Sequence, residues 1–109
     1  MRKNENIKPS NGYKIIAVDD EEGIVDSLSI FLKRSGYEFT GVTNPMEAIE
    51  RVRNEHFDLM VLDFIMDPIH GDQVVEEIRK FNKELYILLL TEIKSTTNET
   101  AKEETKNTT

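Results

Sequence analysis

The sequence predicts an α/β fold in which helices cover both faces of a parallel sheet. Short apolar segments alternate with segments whose apolar residues recur at helical spacing, in the order β-α-β-α-β-α-β. The strand segments are apolar without alternation, which is typical of parallel strands buried on both faces. A chain of 109 residues with 38% hydrophobic residues is sufficient for one domain with a modest core.

The first half of the chain contains two strand segments and the helix between them. The first strand is predicted at 13–18, YKIIAV, and a weaker strand near the sheet edge at 37–42, YEFTGV. The helix between them is predicted at 21–36, with acidic residues at its start, basic residues at its end and Gly36 as its C-terminal cap. The apolar stripe of this helix consists of Ile24, Val25, Leu28, Phe31 and Leu32.

The second half repeats this alternation. A helix is predicted at 44–56, with Asn44 as N-cap, Pro45 in the first turn and a buried stripe made of Met46, Ile49 and Val52. The third strand is predicted at 57–64 and the fourth at 85–91, YILLLT at its end. The helix between them, at 72–81, has Val74, Val75, Ile78 and Phe81 on one face.

Charge and composition exclude several classes of protein. The formal net charge is −7, from 14 basic and 21 acidic residues, which argues against nucleic-acid or anionic-membrane binding through a broad basic face. The absence of cysteine excludes disulfides and thiolate metal sites. The longest apolar runs are too short to cross a membrane, so a cytoplasmic protein is expected. We divide the chain into a disordered leader (1–12), one domain (13–92) and a polar tail (93–109) that is disordered or weakly helical.

Acidic residues follow two of the predicted strands. Asp19 and Asp20 end the first strand, Asp63 ends the third and Thr91 ends the fourth. Because ligands bind beyond the carboxyl ends of the strands in such a sheet, these side chains are expected to converge. Carboxylates in close proximity repel one another, and Mg²⁺ would relieve that repulsion and prepare one of them to attack a phosphoryl group. Alternatively, the acidic pair forms a turn or an N-cap for the first helix.

Three segments of the chain resemble the receiver domain of two-component response regulators of the chemotaxis-regulator type. They are IIAVDDEEGI, DLMVLDFIMDPIHGDQVVEEIRK and ILLLTE, which contain the acidic pair, the strand-end Asp, the loop Met and Gly, and the strand-end Thr in order. The resemblance implies a flavodoxin-like, doubly wound parallel sheet. It also implies a phosphoprotein of a phosphorelay, which accepts its phosphoryl group from a sensor histidine kinase or a phosphotransfer protein, and which is not a classical enzyme.

The resemblance also assigns roles to individual residues. Asp63 would be the phosphoacceptor, and Thr91 would contact the phosphoryl group. Mg²⁺ would be bound by Asp20 directly, by Asp19 directly or through water, by Asp63 and by the backbone carbonyl of Ile65. Gly71 would permit the turn into the third helix.

The chain departs from the family pattern at two places. Asp67 occupies the position where the family usually has Pro, and Pro68 follows it. The family's strand-end Lys on a fifth strand, and its last helices, have no counterpart among the 18 residues after Thr91, in which Ile93 and Ala101 are the apolar residues. The sequence therefore predicts an incomplete sheet, truncated after the fourth strand, with a possible homodimer through its open edge.

Two alternatives to a working receiver follow. The chain could be a degenerate, truncated receiver that acts only as a protein-binding module or is a non-functional fragment. A haloacid-dehalogenase-type phosphatase also uses a strand-end Asp, but it requires a second Asp at the position of Ile65.

Overall fold

The structure, a computed structural model, describes residues 11–91 and has the predicted order of elements. The four strands are β1 (Lys14–Val18), β2 (Glu38–Val42), β3 (Leu59–Asp63) and β4 (Tyr86–Leu90). The three helices are α1 (Glu22–Arg34), α2 (Pro45–Asn54) and α3 (Gly71–Arg79), and none of them is long and apolar enough to cross a membrane. The predicted leader and tail lie mostly outside the described residues, so the proposed division of the chain stays a prediction.

The four strands form one parallel sheet in the order β2-β1-β3-β4. The chain therefore winds in one direction from β1 to β2 and in the other from β1 to β3 and β4, which confirms the doubly wound α/β fold. Residues 11–91 contain no fifth strand, and β4 is an edge of the sheet in this part of the chain.

One face of the sheet is covered by α2 and α3, which also pack against each other. The buried stripe of α2 has the spacing i, i+3, i+4 and i+7, because Pro45, Ala48, Ile49 and Val52 are its buried residues. This face holds the main hydrophobic core, made of Ile16, Val18, Val42, Ala48, Ile49, Val52, Phe57, Met60, Leu62, Met66, Val74, Ile78 and Leu85.

The opposite face is partly covered by α1, which packs over β2 and β1. Val25 of α1 packs against Gly41 of β2, where an added Cβ atom would overlap Cγ1 of Val25. Gly41 alternates with Val42, which points into the main core, so α1 and α2 lie on opposite faces. Gly36 has a φ of 97° and follows the last turn of α1, as predicted for a C-terminal cap.

Three large apolar residues assigned to helix stripes are exposed. Met46 lies one position away from the buried stripe of α2 that begins at Pro45, so it points to solvent. Phe81 lies beyond the end of α3, and the guanidinium of Arg53 sits 4.4 Å from its ring centre. Phe31 is also exposed, whereas Val25, near the first turn of α1, is the buried residue of that helix.

Candidate functional site

Three carboxylates meet at the carboxyl ends of β1 and β3. Val18 pairs with Leu62 in the parallel register of these neighbouring strands, so Asp19 and Asp63, the next residues, emerge side by side. One carboxylate oxygen from each of Asp19, Asp20 and Asp63 lies within 4.8 Å of the other two. The structure thus brings together all three predicted carboxylate ligands, although Asp63 is far from Asp19 and Asp20 in sequence.

Burial makes this arrangement costly without a cation. Asp19 and Asp63 are each 4% exposed, whereas Asp20 is exposed to solvent. Charges of the same sign repel more strongly where water is excluded, so two buried carboxylates beside a third favour a bound cation. A set of oxygen ligands with one side open to water fits a hard divalent ion such as Mg²⁺, which retains several water ligands.

Asp19 also shapes the turn into α1. Its Oδ1 accepts a hydrogen bond of 3.0 Å from the backbone N–H of Glu21, and its own N–H donates to the carbonyl of Val42. Glu21, whose side chain makes no capping hydrogen bond, is the N-cap of α1. The acidic pair therefore forms a turn, as one alternative from the sequence has it, but neither residue is the N-cap. The same turn fixes Asp19 within the acidic cluster.

The segment after Asp63 is fixed by two backbone hydrogen bonds. The N–H of Phe64 donates to the carbonyl of Leu90 at 2.9 Å, and the N–H of Gly71 donates to the carbonyl of Phe64 at 2.8 Å. A Cβ atom on Gly71 would lie 2.6 Å from the carbonyl oxygen of Asp63 and 2.9 Å from the Cα of Phe64. Only glycine allows the start of α3 to approach the end of β3 this closely.

The two other predicted site residues lie near this cluster. Leu90 pairs with Asp63 in the sheet register, so Thr91, which follows Leu90 and is exposed, lies at the same edge of the sheet. Ile65 is in the loop two residues after Asp63, and its side chain is exposed. Their positions are compatible with the predicted roles, which stay predictions.

The loop between β3 and α3 contains features that sequence reasoning missed. The rings of Phe64 and His70 are 5.8 Å apart, and the N–H of His70 donates to Oε1 of Gln73. The Asp67–Pro68 peptide bond is cis. A ring contact across a loop has no periodic signal in a sequence, but Gln73, three residues after the helix N-cap, was a usable signal for a capping interaction.

Comparison with known families identifies this arrangement. The model of the family described as "Response regulator receiver domain" matches residues 15–107 of the chain. The chain belongs to this family. The match includes all three carboxylates of the cluster and extends into the part of the chain that the structure leaves undescribed.

Curated relatives are response regulators that are much longer than this chain. The alkaline phosphatase synthesis transcriptional regulatory protein PhoP of Bacillus subtilis is 38% identical over 78 residues, which cover 72% of this chain and 32% of PhoP. The response regulator SaeR of Staphylococcus aureus is 34% identical over 77 residues, which cover 71% of this chain and 33% of SaeR. The chain spans about a third of the length of these relatives.

Solved structures of receiver proteins share the fold. The response regulator TrrA of Thermotoga maritima, in complex with Mg²⁺ and BeF, is 33% identical, has a TM-score of 0.70 and matches 85% of this chain and 78% of its own. A chain in the complex of the histidine kinase ThkA with TrrA is 35% identical to this chain, with a TM-score of 0.69. The match covers 78% of this chain and 76% of the matched chain. A Francisella response regulator receiver domain is 23% identical and has a TM-score of 0.71, and the match covers 80% of this chain and 72% of that domain. At this identity the similarity shows the fold alone.

Proposed function

We propose that this chain is a phosphoacceptor of a two-component phosphorelay, which receives a phosphoryl group on Asp63 from a histidine kinase or a phosphotransfer protein with the help of Mg²⁺. The observation that carries the proposal is the buried strand-end carboxylate of Asp63 within 4.8 Å of the carboxylate oxygens of Asp19 and Asp20. A nucleophile and a set of hard-ion ligands at one point are the requirements for phosphoryl transfer to a carboxylate.

The reaction forms one bond and breaks another. An oxygen of Asp63 attacks the phosphorus of a phosphohistidine, the P–N bond breaks, and the product is an acyl phosphate on Asp63 with the proton-accepting imidazole as leaving group. Asp19, Asp20 and Asp63 would hold Mg²⁺ together with the backbone carbonyl of Ile65, and the hydroxyl of Thr91 would donate a hydrogen bond to a phosphoryl oxygen. The metal supplies positive charge that offsets the negative charge of the phosphoryl oxygens and of the three carboxylates.

Two structures of one relative, TrrA, support this proposal. TrrA is 33% identical to this chain and its structure is a complex with Mg²⁺ and BeF. TrrA is also seen in complex with the histidine kinase ThkA. By similarity we propose Mg²⁺ as the cofactor and a histidine kinase as the partner of this chain.

Mass spectrometry tests the proposal directly. The protein is incubated with Mg²⁺ and a small phosphodonor such as acetyl phosphate, and the intact mass is measured. We expect a gain of one phosphoryl group that is lost in Asp63→Asn and retained in Asp26→Asn, a matched control because Asp26 is an exposed residue of α1 outside the acidic cluster. A gain that persists in Asp63→Asn would contradict the assignment of the acceptor.

A second candidate function is a protein-binding module without phosphoryl transfer. The sequence observation behind it is that none of the 18 residues after Thr91 matches the strand-end Lys that the family has on a fifth strand. The two candidates differ in a calorimetric titration with Mg²⁺ and in the mass measurement. Mg²⁺ binding with phosphorylation supports the first, whereas the absence of both supports the second.

The same proposal indicates what class of protein the chain is and where it acts. A phosphoacceptor turns over its own acyl phosphate but processes no separate substrate, so we infer that the chain is a signalling protein and not a classical enzyme. A net charge of −7 disfavours direct contact with nucleic acid or anionic lipid. Phosphohistidine donors of this class act in the cytoplasm, where we place the chain.

A further inference from the structure

The loop between β3 and α3, residues 64–70, is held by three contacts. The N–H of Gly71 donates to the carbonyl of Phe64 at 2.8 Å, so a backbone hydrogen bond joins the two ends of the loop. The side chain of Met66 is 2% exposed and belongs to the main core. The rings of Phe64 and His70 pack against each other, with their centres 5.8 Å apart and their planes at 45°. The path of the loop is therefore fixed by two contacts without the His70 side chain and by one with it.

Helix capping does not account for a histidine at this position. His70 is the N-cap of α3, and its backbone N–H donates to Oε1 of Gln73 at 3.0 Å. N-cap positions favour Ser, Thr, Asp and Asn, whose short side chains accept a hydrogen bond from the first turn of the helix. The bond to Gln73 comes from the backbone, so it does not require an imidazole. The contact that does depend on a ring is the one with Phe64, and aromatic rings at this separation attract each other.

His70 is near the acidic cluster in the chain but is not part of it. Among the residues that the structure describes, the group of side chains placed to hold a metal ion is the acidic cluster, and it contains no histidine. The ring of His70 is exposed to solvent, and the residue that it contacts, Phe64, directly follows the proposed acceptor. The ring contact therefore acts on the backbone beside the site.

We propose that His70 is a positioning residue for the metal site, because its ring, packed on Phe64, keeps the loop in the conformation that offers the backbone carbonyl of Ile65 to Mg²⁺. The inference rests on the Mg²⁺ site of the proposed function, in which that carbonyl is a ligand. Ile65 lies between Phe64 and Met66, so the contacts of these two neighbours restrict its backbone. The exposed side chain of Ile65 makes no comparable contribution from the core.

Loss of the ring contact should weaken the binding of Mg²⁺ without abolishing it. The apparent dissociation constant rises as the fraction of molecules in the binding conformation falls. Residues that orient a metal ligand without touching the metal typically change metal affinity by about 10- to 100-fold. Because the other two contacts of the loop remain, we expect a dissociation constant raised about tenfold, at the low end of this range.

Calorimetric titration of the 109-residue chain with MgCl₂ tests the proposal through two substitutions at one position. His70→Asn introduces a preferred N-cap residue but removes the ring, and it should bind Mg²⁺ about tenfold more weakly than the wild type. His70→Phe keeps a ring but has no ring nitrogens, and its affinity should be close to that of the wild type. A role in capping alone predicts the reverse order, because Asn is a better N-cap residue than Phe.

The other histidine of the chain provides a matched control. His56 is 76% exposed and contacts Asp58 at the opposite end of the sheet, so His56→Asn should leave the affinity for Mg²⁺ unchanged. Phe64→Leu removes the other ring, and combining it with His70→Asn should weaken binding no further than the weaker single variant, because the two residues act through one contact. Melting curves in EDTA show that each variant is folded.

The possible results separate this inference from the proposed function. A His70→Asn variant that binds Mg²⁺ as tightly as the wild type, or a His70→Phe variant as weak as His70→Asn, would overturn the inference alone. A wild-type protein that binds no Mg²⁺ would overturn both. If the variants follow the expected order but the wild type accepts no phosphoryl group, the inference stands and the proposed phosphoryl transfer does not.

Discussion

Gly71 shows how one residue can control the geometry of a site that it does not enter. Its Cα lies so close to the end of β3 that a Cβ would meet the carbonyl oxygen of Asp63, the Cα of Phe64 and a methyl group of Leu89, each at less than 3.0 Å. Its N–H also donates to the carbonyl of Phe64. A larger residue at this position must displace the backbone that carries the proposed acceptor.

We therefore predict that Gly71→Ala destabilises the protein by about 1–3 kcal/mol, the usual cost of overpacking. Urea denaturation gives the free energy of unfolding. Gly23→Ala is the control, because Gly23 is a helical residue with no atom within 4 Å of an added Cβ, and there alanine should stabilise by about 0.5–1 kcal/mol. Equal effects of the two substitutions would refute the role given to Gly71.

Asp58 fixes the opposite end of the sheet from the acidic cluster. Its Oδ2 accepts a hydrogen bond of 2.8 Å from the backbone N–H of Lys14, and its Oδ1 lies 2.9 Å from Nε2 of His56. The hydrogen bond from Lys14, followed by that from His56, lowers the pKa of Asp58 below its ordinary value. The ionised carboxylate is therefore favoured in the folded protein.

This lowered pKa predicts a pH-dependent contribution to stability. The contribution is present above the unfolded-state pKa of about 3.9, and it is lost as the pH falls through the lower pKa of the folded state. Asp58→Asn has no carboxylate to protonate, so the difference in unfolding free energy between wild type and variant should shrink as the pH falls from 6 to about 3. Urea denaturation at each pH measures it, and a difference that does not change with pH would count against the assignment.

At the scale of the element, α2 has a side-chain N-cap. Oδ1 of Asn44 accepts a hydrogen bond of 2.8 Å from the N–H of Met46, as the sequence predicts for this helix start. We predict that Asn44→Ala lowers the free energy of unfolding by about 1 kcal/mol. Asn44→Asp should keep most of the stabilisation, because Asp is also a preferred N-cap residue. Thermal and urea denaturation measure both variants, and an Asp variant as unstable as the Ala variant would show that the cap contributes little.

The order and type of the elements follow from the sequence, but the orientation of individual side chains does not. Periodicity identifies α2, yet it leaves open whether the buried stripe begins at Pro45 or at Met46. A stripe that begins at either residue includes Ile49 and Val52. The three-dimensional packing decides, since the sheet contacts one side of the helix. In the same way, YILLL reads as a buried strand, whereas Tyr86, Leu88 and Leu90 are exposed because no described helix lies over them.

The site was predictable where its residues end strands. Asp19, Asp20 and Asp63 are adjacent because strand ends of a parallel sheet share one edge, a rule that needs no coordinates. The close approach of Gly71 to β3 and the contact of Phe64 with His70 depend on the path of a loop. Loops have no repeating pattern of apolar residues, so their paths cannot be derived from periodicity.

At the scale of the whole molecule, a bound cation should increase stability. A ligand that binds the folded state alone stabilises it by about 2.7 kcal/mol at a hundred times its dissociation constant. We predict that MgCl₂ raises the melting temperature relative to EDTA, and that Asp20→Asn reduces this increase, because it removes one ligand of the cluster. The melting temperature of Asp26→Asn, a substitution outside the cluster, should rise with Mg²⁺ as that of the wild type does. A wild-type melting temperature that is the same in MgCl₂ and in EDTA would contradict the metal site.

The pairing of β1 with β3 also has a consequence for the order of events during folding. These strands are separated in sequence by α1, β2 and α2, so the chain must close a long loop before they pair. Asp19 and Asp63 approach each other only when that closure is complete, and their repulsion therefore acts mainly on the finished structure. We therefore expect this repulsion to speed unfolding more than it slows folding, and a bound cation to lengthen the lifetime of the native state.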